Sequence, residues 1–157
     1  AEGFAGTIDV TDNRCTWRRE INWQGVLEVD DIGLMSFEDE GLIEDGVLAD
    51  YRELWQAEPV APLRGHRITV GDMSGILVEN DAVFLIGIGP APSPINDLSV
   101  QFASTYALGN WDGADGIATL STNPFCEGKT VLRRDAGFTW HALSFDGAAE
   151  DCRLIAA

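Results

Sequence analysis

Apolar residues in this chain come in short bursts with a spacing of two, and that spacing limits the fold more than any other feature. From 15 to 23 the odd positions Cys15, Trp17, Ile21 and Trp23 are apolar while Thr16, Arg18, Glu20 and Asn22 are polar, with Arg19 as the one break. Successive side chains of a strand point to opposite faces, so this alternation marks a strand with one buried face. The longest apolar run, residues 82–89, falls far below the roughly 20 residues that a membrane-crossing helix needs. The same reading predicts strands over 4–10, 66–70, 75–78, 82–88, 98–103, 117–120, 130–134, 138–145 and 153–156, and a continuation of the second strand over 26–29 beyond Gly25. Asn80-Asp81 reads as a tight turn because both residue types tolerate positive φ. The unbroken Val83-Phe84-Leu85-Ile86 predicts a central strand buried on both faces. Residues 89–96 read as a stiff loop, since each of Pro90, Pro92 and Pro94 fixes φ and removes a backbone donor.

One stretch has a different period. Ile43, Val47, Tyr51 and Trp55 recur every four residues, with Leu48 and Leu54 beside them, which predicts an amphipathic helix near residues 40–56. Ser36 and Asp39 have a capping-box-like spacing ahead of it, and the acidic first turns suit the positive end of a helix dipole. Gly46 counts against it by about 1 kcal/mol relative to alanine. Pro59 and Pro62 end it in an extended linker. The expected fold is therefore mainly β. It is one domain over 1–157, an antiparallel β-barrel or sandwich of eight to ten strands with the OB-type Greek key among the candidates, and one inserted helix.

A chain of 157 residues, 45% hydrophobic and 23% charged, can bury a sizeable core and is too apolar for disorder. Its formal net charge of −16 makes nucleic acid and anionic membrane surfaces poor partners. The charge is uneven: between Glu28 and Glu58 eleven carboxylates face one arginine, Arg52, so that segment carries −10 of the −16. It reads as a solvated face, as adaptation to a salty environment, or as a docking face for a basic partner. Nine arginines against the single Lys129 read as compositional bias. The start at Ala1-Glu2-Gly3 resembles what signal-peptide cleavage leaves, pointing to a bacterial periplasmic or secreted protein. Export permits a disulfide, and Cys126–Cys152 is the preferred pair because both lie in turn-like polar segments. Closing that loop of roughly 27 residues would stabilise by about 3.5 kcal/mol. Cys15 is then left as a buried thiol.

Gly65-His66-Arg67-Ile68-Thr69-Val70, then Phe84-Leu85-Ile86, then Pro90, Pro92, Pro94 and Asn96 at alternate positions with Val100 beyond, resemble a family of uncharacterised bacterial periplasmic proteins. In that family a Gly-Lys-x-Val strand leads to an apolar strand and a proline-rich Pro-Pro-x-Asn-x-x-x-Val loop. The resemblance implies export and a β architecture. The family has a Cys and a His just before the prolines, where Gly87, Ile88 and Gly89 stand here, so no metal or redox role follows for this chain.

Residues able to do chemistry are few and scattered. His66 and His141 are the only histidines, short of the three or four ligands that a transition metal takes, and neither lies in a ligand-spaced motif. His66 reads as a surface residue. Ser144, His141 and Asp146 are near one another in sequence, but the odd spacing of His141 and Ser144 points them to opposite faces of one strand. Gly71-Asp72-Met73-Ser74-Gly75 resembles a nucleophile elbow only superficially, in a hairpin context. Arg14, Arg18 and Arg19 would lower the Cys15 thiol if it were exposed, yet the strand pattern buries it. Asn110, Asp112 and Asp115 in a glycine-rich loop offer oxygens to Ca²⁺, and Trp111 at its tip reads as a sugar or partner contact, or as a cap folded onto the barrel. Trp17, Trp23, Trp55 and Trp140 fall on expected buried faces.

The sequence thus reads as an exported, non-catalytic binding or accessory protein without a cofactor, a subunit or partner of a larger periplasmic or cell-surface assembly. Its contact residues would be Trp111, Pro92, Pro94 and Asn96 together with the acidic face. A calcium-dependent carbohydrate-binding module and a small secreted hydrolase are the alternatives.

Overall fold

The computed structural model describes residues 3–39, 41–57, 61–91, 102–134, 138–142, 145–148 and 151–154, the last three stretches by their backbone. The described residues form two antiparallel sheets. The first is a five-stranded meander in chain order: β1 (Phe4–Thr11), β2 (Arg14–Asn22), β3 (Asp31–Glu38), β4 (Gly41–Gly46) and β5 (Arg52–Trp55). The second runs β6 (Arg64–Val70), β7 (Met73–Glu79), β8 (Val83–Gly89), β9 (Thr105–Asp112), β10 (Asp115–Ser121), β11 (Thr130–Arg134), β12 (Phe138–Ala142) and β13 (Phe145–Ala148). Each of these pairs with its sequence neighbour, and β14 (Asp151–Leu154) returns to pair with β6. The order is an up-and-down meander with one return strand, so the Greek-key crossing of an OB barrel is not found among the described strands.

Alternation builds the core. Phe84, Ile86 and Ile88 point inward from β8 and meet Leu77 of β7, Ile68 and Val70 of β6, Ala107 of β9, Ala118 of β10, and Val131 and Leu132 of β11. The second sheet curls around this cluster as a half-barrel. The expected burial of β8 on both faces holds only in part, because Leu85 is 53% exposed on the outer face. Two residues further along, that same face is covered. A Cβ on Gly87 would lie 2.7 Å from Ala5 Cβ and 2.9 Å from the Tyr106 ring, so glycine is what lets β1 lie against β8. An ion pair between Arg67 of β6 and Glu20 of β2 joins the sheets nearby.

The helix expected near residues 40–56 is not found: the described residues 41–56 supply β4, a turn and β5. A four-residue repeat is an even spacing, so it fits strands as well as it fits a helix face. Gly41 and Gly46 each weaken a helix by about 1 kcal/mol. β3, which the sequence reading had not anticipated, offers β4 a six-residue ladder from Gly33↔Gly46 to Glu38↔Gly41. Val47 and Leu48 fall in the turn, partly exposed. Residues 26–29 are irregular rather than strand, and Asn110, Trp111 and Asp112, expected in a glycine-rich loop, end strand β9. Of the strand expected at 98–103, residues 98–101 lie outside the described residues and Phe102 and Ala103 are in no strand.

The expected Cys126–Cys152 disulfide is not present: Cys126 is a free thiol, 2% exposed, inside the core cluster. Asn123 Oδ1 accepts from the Phe125 N–H and starts the 3-10 turn Pro124–Cys126, which directs Cys126 inward. Cys152, described by backbone alone, is the Cα partner of Ile68 at the β14 edge. Cys15 is a free, fully buried thiol. Among the described residues no helix is long and apolar enough to cross a membrane.

Candidate functional site: an acidic cleft floored by indoles

One face of the first sheet, crossed by all five strands, holds a cleft of about 470 Å³, a volume in the range of small-ligand sites. Phe4 comes from β1, Trp17 and Arg19 from β2, Asp31 from β3, Glu44 from β4, and Glu53 and Trp55 from β5. The irregular stretch with Leu27, Glu28, Val29 and Asp30, and the turn with Ala49 and Tyr51, form its walls. Register sets the pairings: Trp17 lies opposite Asp31, and Glu44 opposite Glu53. Trp17 and Trp55 stack with centroids 5.4 Å apart and planes 20° from parallel, and Phe4 meets Trp17 edge-on at 5.8 Å.

Glu44 organises the floor. It is 1% exposed. Its Oε1 accepts from Trp17 Nε1 at 2.8 Å and Tyr51 Oη at 3.0 Å, and its Oε2 accepts from Trp55 Nε1 at 3.0 Å. All three donors are neutral, and among the described residues no cation lies within ion-pair distance of this carboxylate. Room for it comes from Gly33, where a Cβ would lie 2.2 Å from Glu44 Oε1 and 2.4 Å from its Cγ. Arg19 is the one base among the described lining residues. Its Nε and Nη2 both donate to Asp31 Oδ2, at 2.8 and 2.5 Å, and its guanidinium lies 4.1 Å over the Phe4 ring. Glu28 and Asp30 stand exposed at the mouth, with no ion-pair partner among the described residues.

This arrangement disfavours nucleophiles. Burial, reinforced by the charges of Glu44 and Asp31, pushes the Cys15 thiol up to about 11. The Tyr51 phenol is likewise raised above its ordinary value, first by burial and then by its hydrogen bond to Glu44. Neither group is ionised at neutral pH, so the arginines near Cys15 do not activate it. The cleft offers electron-rich ring faces and a negative potential, which attract cations.

The residues singled out from sequence lie elsewhere. Trp111 packs back onto Phe84, with centroids 5.2 Å apart, and Arg134 lies 3.5 Å over its ring. Asn110, Asp112 and Asp115 are spread along the β9–β10 hairpin, and Asp115 Oδ1 accepts from Arg133 Nε at 2.7 Å. Among the described residues no three His, Cys, Asp or Glu side chains are grouped to hold a metal. Pro92, Pro94 and Asn96 lie outside the described residues. His141 is the Cα partner of Asp146 across β12 and β13, and Ser144 lies outside the described residues. His66 is not a free surface residue: its Nε2 lies 3.1 Å from Oε1 of Glu79, which is 3% exposed and also bonded by Arg64 Nε at 2.9 Å. Trp17, Trp23 and Trp55 are only partly buried, and two of them form the cleft floor instead of core.

Sequence reasoning marked the acidic segment that supplies Glu28, Asp30, Asp31, Glu44 and Glu53, but it missed the aromatic floor. The available signals were Gly33 and Gly46 inside β-length segments and a glutamate at an inward position. No family model, no curated protein and no solved structure matches this chain.

Proposed function

We propose that this chain is a non-catalytic binding protein that docks a basic segment of a protein partner in the cleft of its first sheet, as an accessory subunit of an exported or cell-surface assembly. One observation carries the reading: among the described residues five carboxylates and a single arginine line a cleft floored by stacked indoles, and the most buried of those carboxylates has no described cation beside it. A buried carboxylate without a counter-charge is costly, and a cation entering from a partner reduces that cost. The floor is set by β-sheet register and by the Glu44 bonds, so little ordering entropy is lost there on contact. The screened, solvent-open mouth predicts fast association that weakens as salt rises.

Titrating a short basic peptide into the protein, with tryptophan fluorescence as readout at low and at physiological salt, tests this. Binding should perturb the indole emission and weaken with salt. Glu44→Gln together with Asp30→Asn should reduce it. No emission change and no heat of binding at low salt would refute the reading.

A further inference from the structure

We infer that the basic segment docks as an added β-strand, entering a gap in the first sheet along the edge of β2. The inference rests on the docking reading above and gives the partner segment its conformation. β2 pairs with β1 over its whole length, but β3 joins it only from Arg14↔Leu34 to Trp17↔Asp31. Beyond Asn22 the chain turns at Gly25, with φ +80°, and returns to Asp31 without closing the ladder. Between β2 and the returning residues 25–31 lies a second cavity, of about 430 Å³, which shares Leu27, Val29 and Asp30 with the cleft as a common wall. Trp17, Arg18, Arg19 and Glu20 line it in unbroken succession. Successive side chains of a strand point to opposite faces, so a cavity that touches four in a row runs along the strand's edge.

Both sides of the gap lack a strand partner. Among the described residues, the one main-chain bond across it beyond Trp17↔Asp31 runs from the Gly25 N–H to the Asn22 carbonyl at 3.1 Å, at its closed end. Opposite, residues 26–30 make no hydrogen bond with a described residue. Val26-Leu27-Glu28-Val29 has the composition of a strand, yet it is irregular, and Val26 and Val29 are each 54% exposed. An incoming extended segment supplies the ladder that both sides are missing. Charge selects which segment enters. Arg18, Arg19 and Glu20 are each ion-paired within the molecule, to Asp9, Asp31 and Arg67, so the edge offers main-chain groups more than charge. Glu28 and Asp30 have no ion-pair partner among the described residues, so the returning wall favours a basic strand. A second copy of this chain, at −16, is a poor match. Alternate side chains of the added strand would face the same side as Trp17 and Arg19, which is the cleft.

The test uses the unaltered protein and two capped hexapeptides of alternating lysine and threonine. One is unmodified; the other is N-methylated at every second amide, which keeps its charge and blocks one edge of a strand. Calorimetry at low salt should find the methylated peptide weaker by about tenfold or more, the loss expected when two main-chain hydrogen bonds cannot form. Saturation with the unmodified peptide should slow amide hydrogen exchange, followed by NMR, about tenfold or more within residues 18–22 and within residues 26–30. Equal affinity of the two peptides would overturn strand addition and leave the docking reading standing. So would binding of the unmodified peptide with exchange unchanged in both stretches. Absence of any binding by the unmodified peptide at low salt would overturn strand addition and the docking reading together.

Discussion

The seat of Glu44 makes the most demanding prediction, because it depends on a single absent methyl group. In Gly33→Ala the new Cβ would lie 2.2 Å from Glu44 Oε1, 2.4 Å from its Cγ and 2.7 Å from its Cδ. The whole carboxylate end, not just one oxygen, has to leave. It then gives up bonds from Trp17, Tyr51 and Trp55. A hydrogen bond to a charged group is worth about 1.5–3 kcal/mol net, and the exposed Trp55 belongs at the low end because water replaces its partner. Against this, Gly→Ala reduces the freedom of the unfolded chain by about 0.4–1 kcal/mol. Three bonds at the low end of that range, less the unfolded-chain contribution, give an expected net destabilisation of about 3.5 kcal/mol. A double-mutant cycle isolates the cause. In a Glu44→Ala background the added methyl has no carboxylate to displace, so Gly33→Ala should be neutral or slightly stabilising. The coupling between the two sites should then be about 2 kcal/mol or more. Urea unfolding followed by tryptophan emission measures all four proteins. Additivity within about 0.5 kcal/mol would refute the claim that Gly33 exists to seat Glu44.

Three further outcomes follow from the geometry. Gly87→Ala places a methyl 2.7 Å from Ala5 Cβ, so it should cost about 1–3 kcal/mol in urea unfolding, and Ala5→Gly should recover part of the loss. Burial pushes the Glu79 carboxyl up, but bonds from Arg64 and His66 and the charges of Arg64 and Arg134 outweigh it, so it sits below its ordinary value of 4.5. A lowered carboxyl stabilises above that ordinary value and loses the contribution as pH falls through the folded-state value. The stability gap between the unaltered protein and Glu79→Gln should therefore be widest near neutral pH and close in acid; a gap that does not vary with pH would contradict this. With Cys15 and Cys126 free, a thiol titration of the unreduced, denatured monomer should count all three cysteines, and a count of one would indicate a bridge.

How far the sequence could be read depended on whether a pattern was local. Val83 to Ile88 is an apolar segment and Val131-Leu132 an apolar pair whose burial is a local property, so β8 and β11 were legible. The turn at Asn80 was legible in place but not in mechanism: neither Asn80 nor Asp81 takes a positive φ, and Asn80 Oδ1 instead accepts from the Ala82 and Val83 N–H groups. The stretch 40–56 was not, because its four-residue repeat serves both periods and only the ladder with β3 decides between them. β9 was hidden because its inward positions, Ala107 and Gly109, are too small to show as an apolar stripe. Gly109 is small because Phe84 fills the space: a Cβ there would lie 2.4 Å from the Phe84 ring.

The residue string alone determined that this chain builds β-sheets, that its reactive side chains are sparse, and that its negative charge concentrates between Glu28 and Glu58. Those properties are sums or short-range repeats, and each strand carries its own share of them. Which acid is buried, which indoles stay near solvent, and that Glu44, Trp17 and Trp55 meet at all were decided by tertiary structure. These residues are 11 to 38 positions apart, and only the register of five paired strands brings them onto one face.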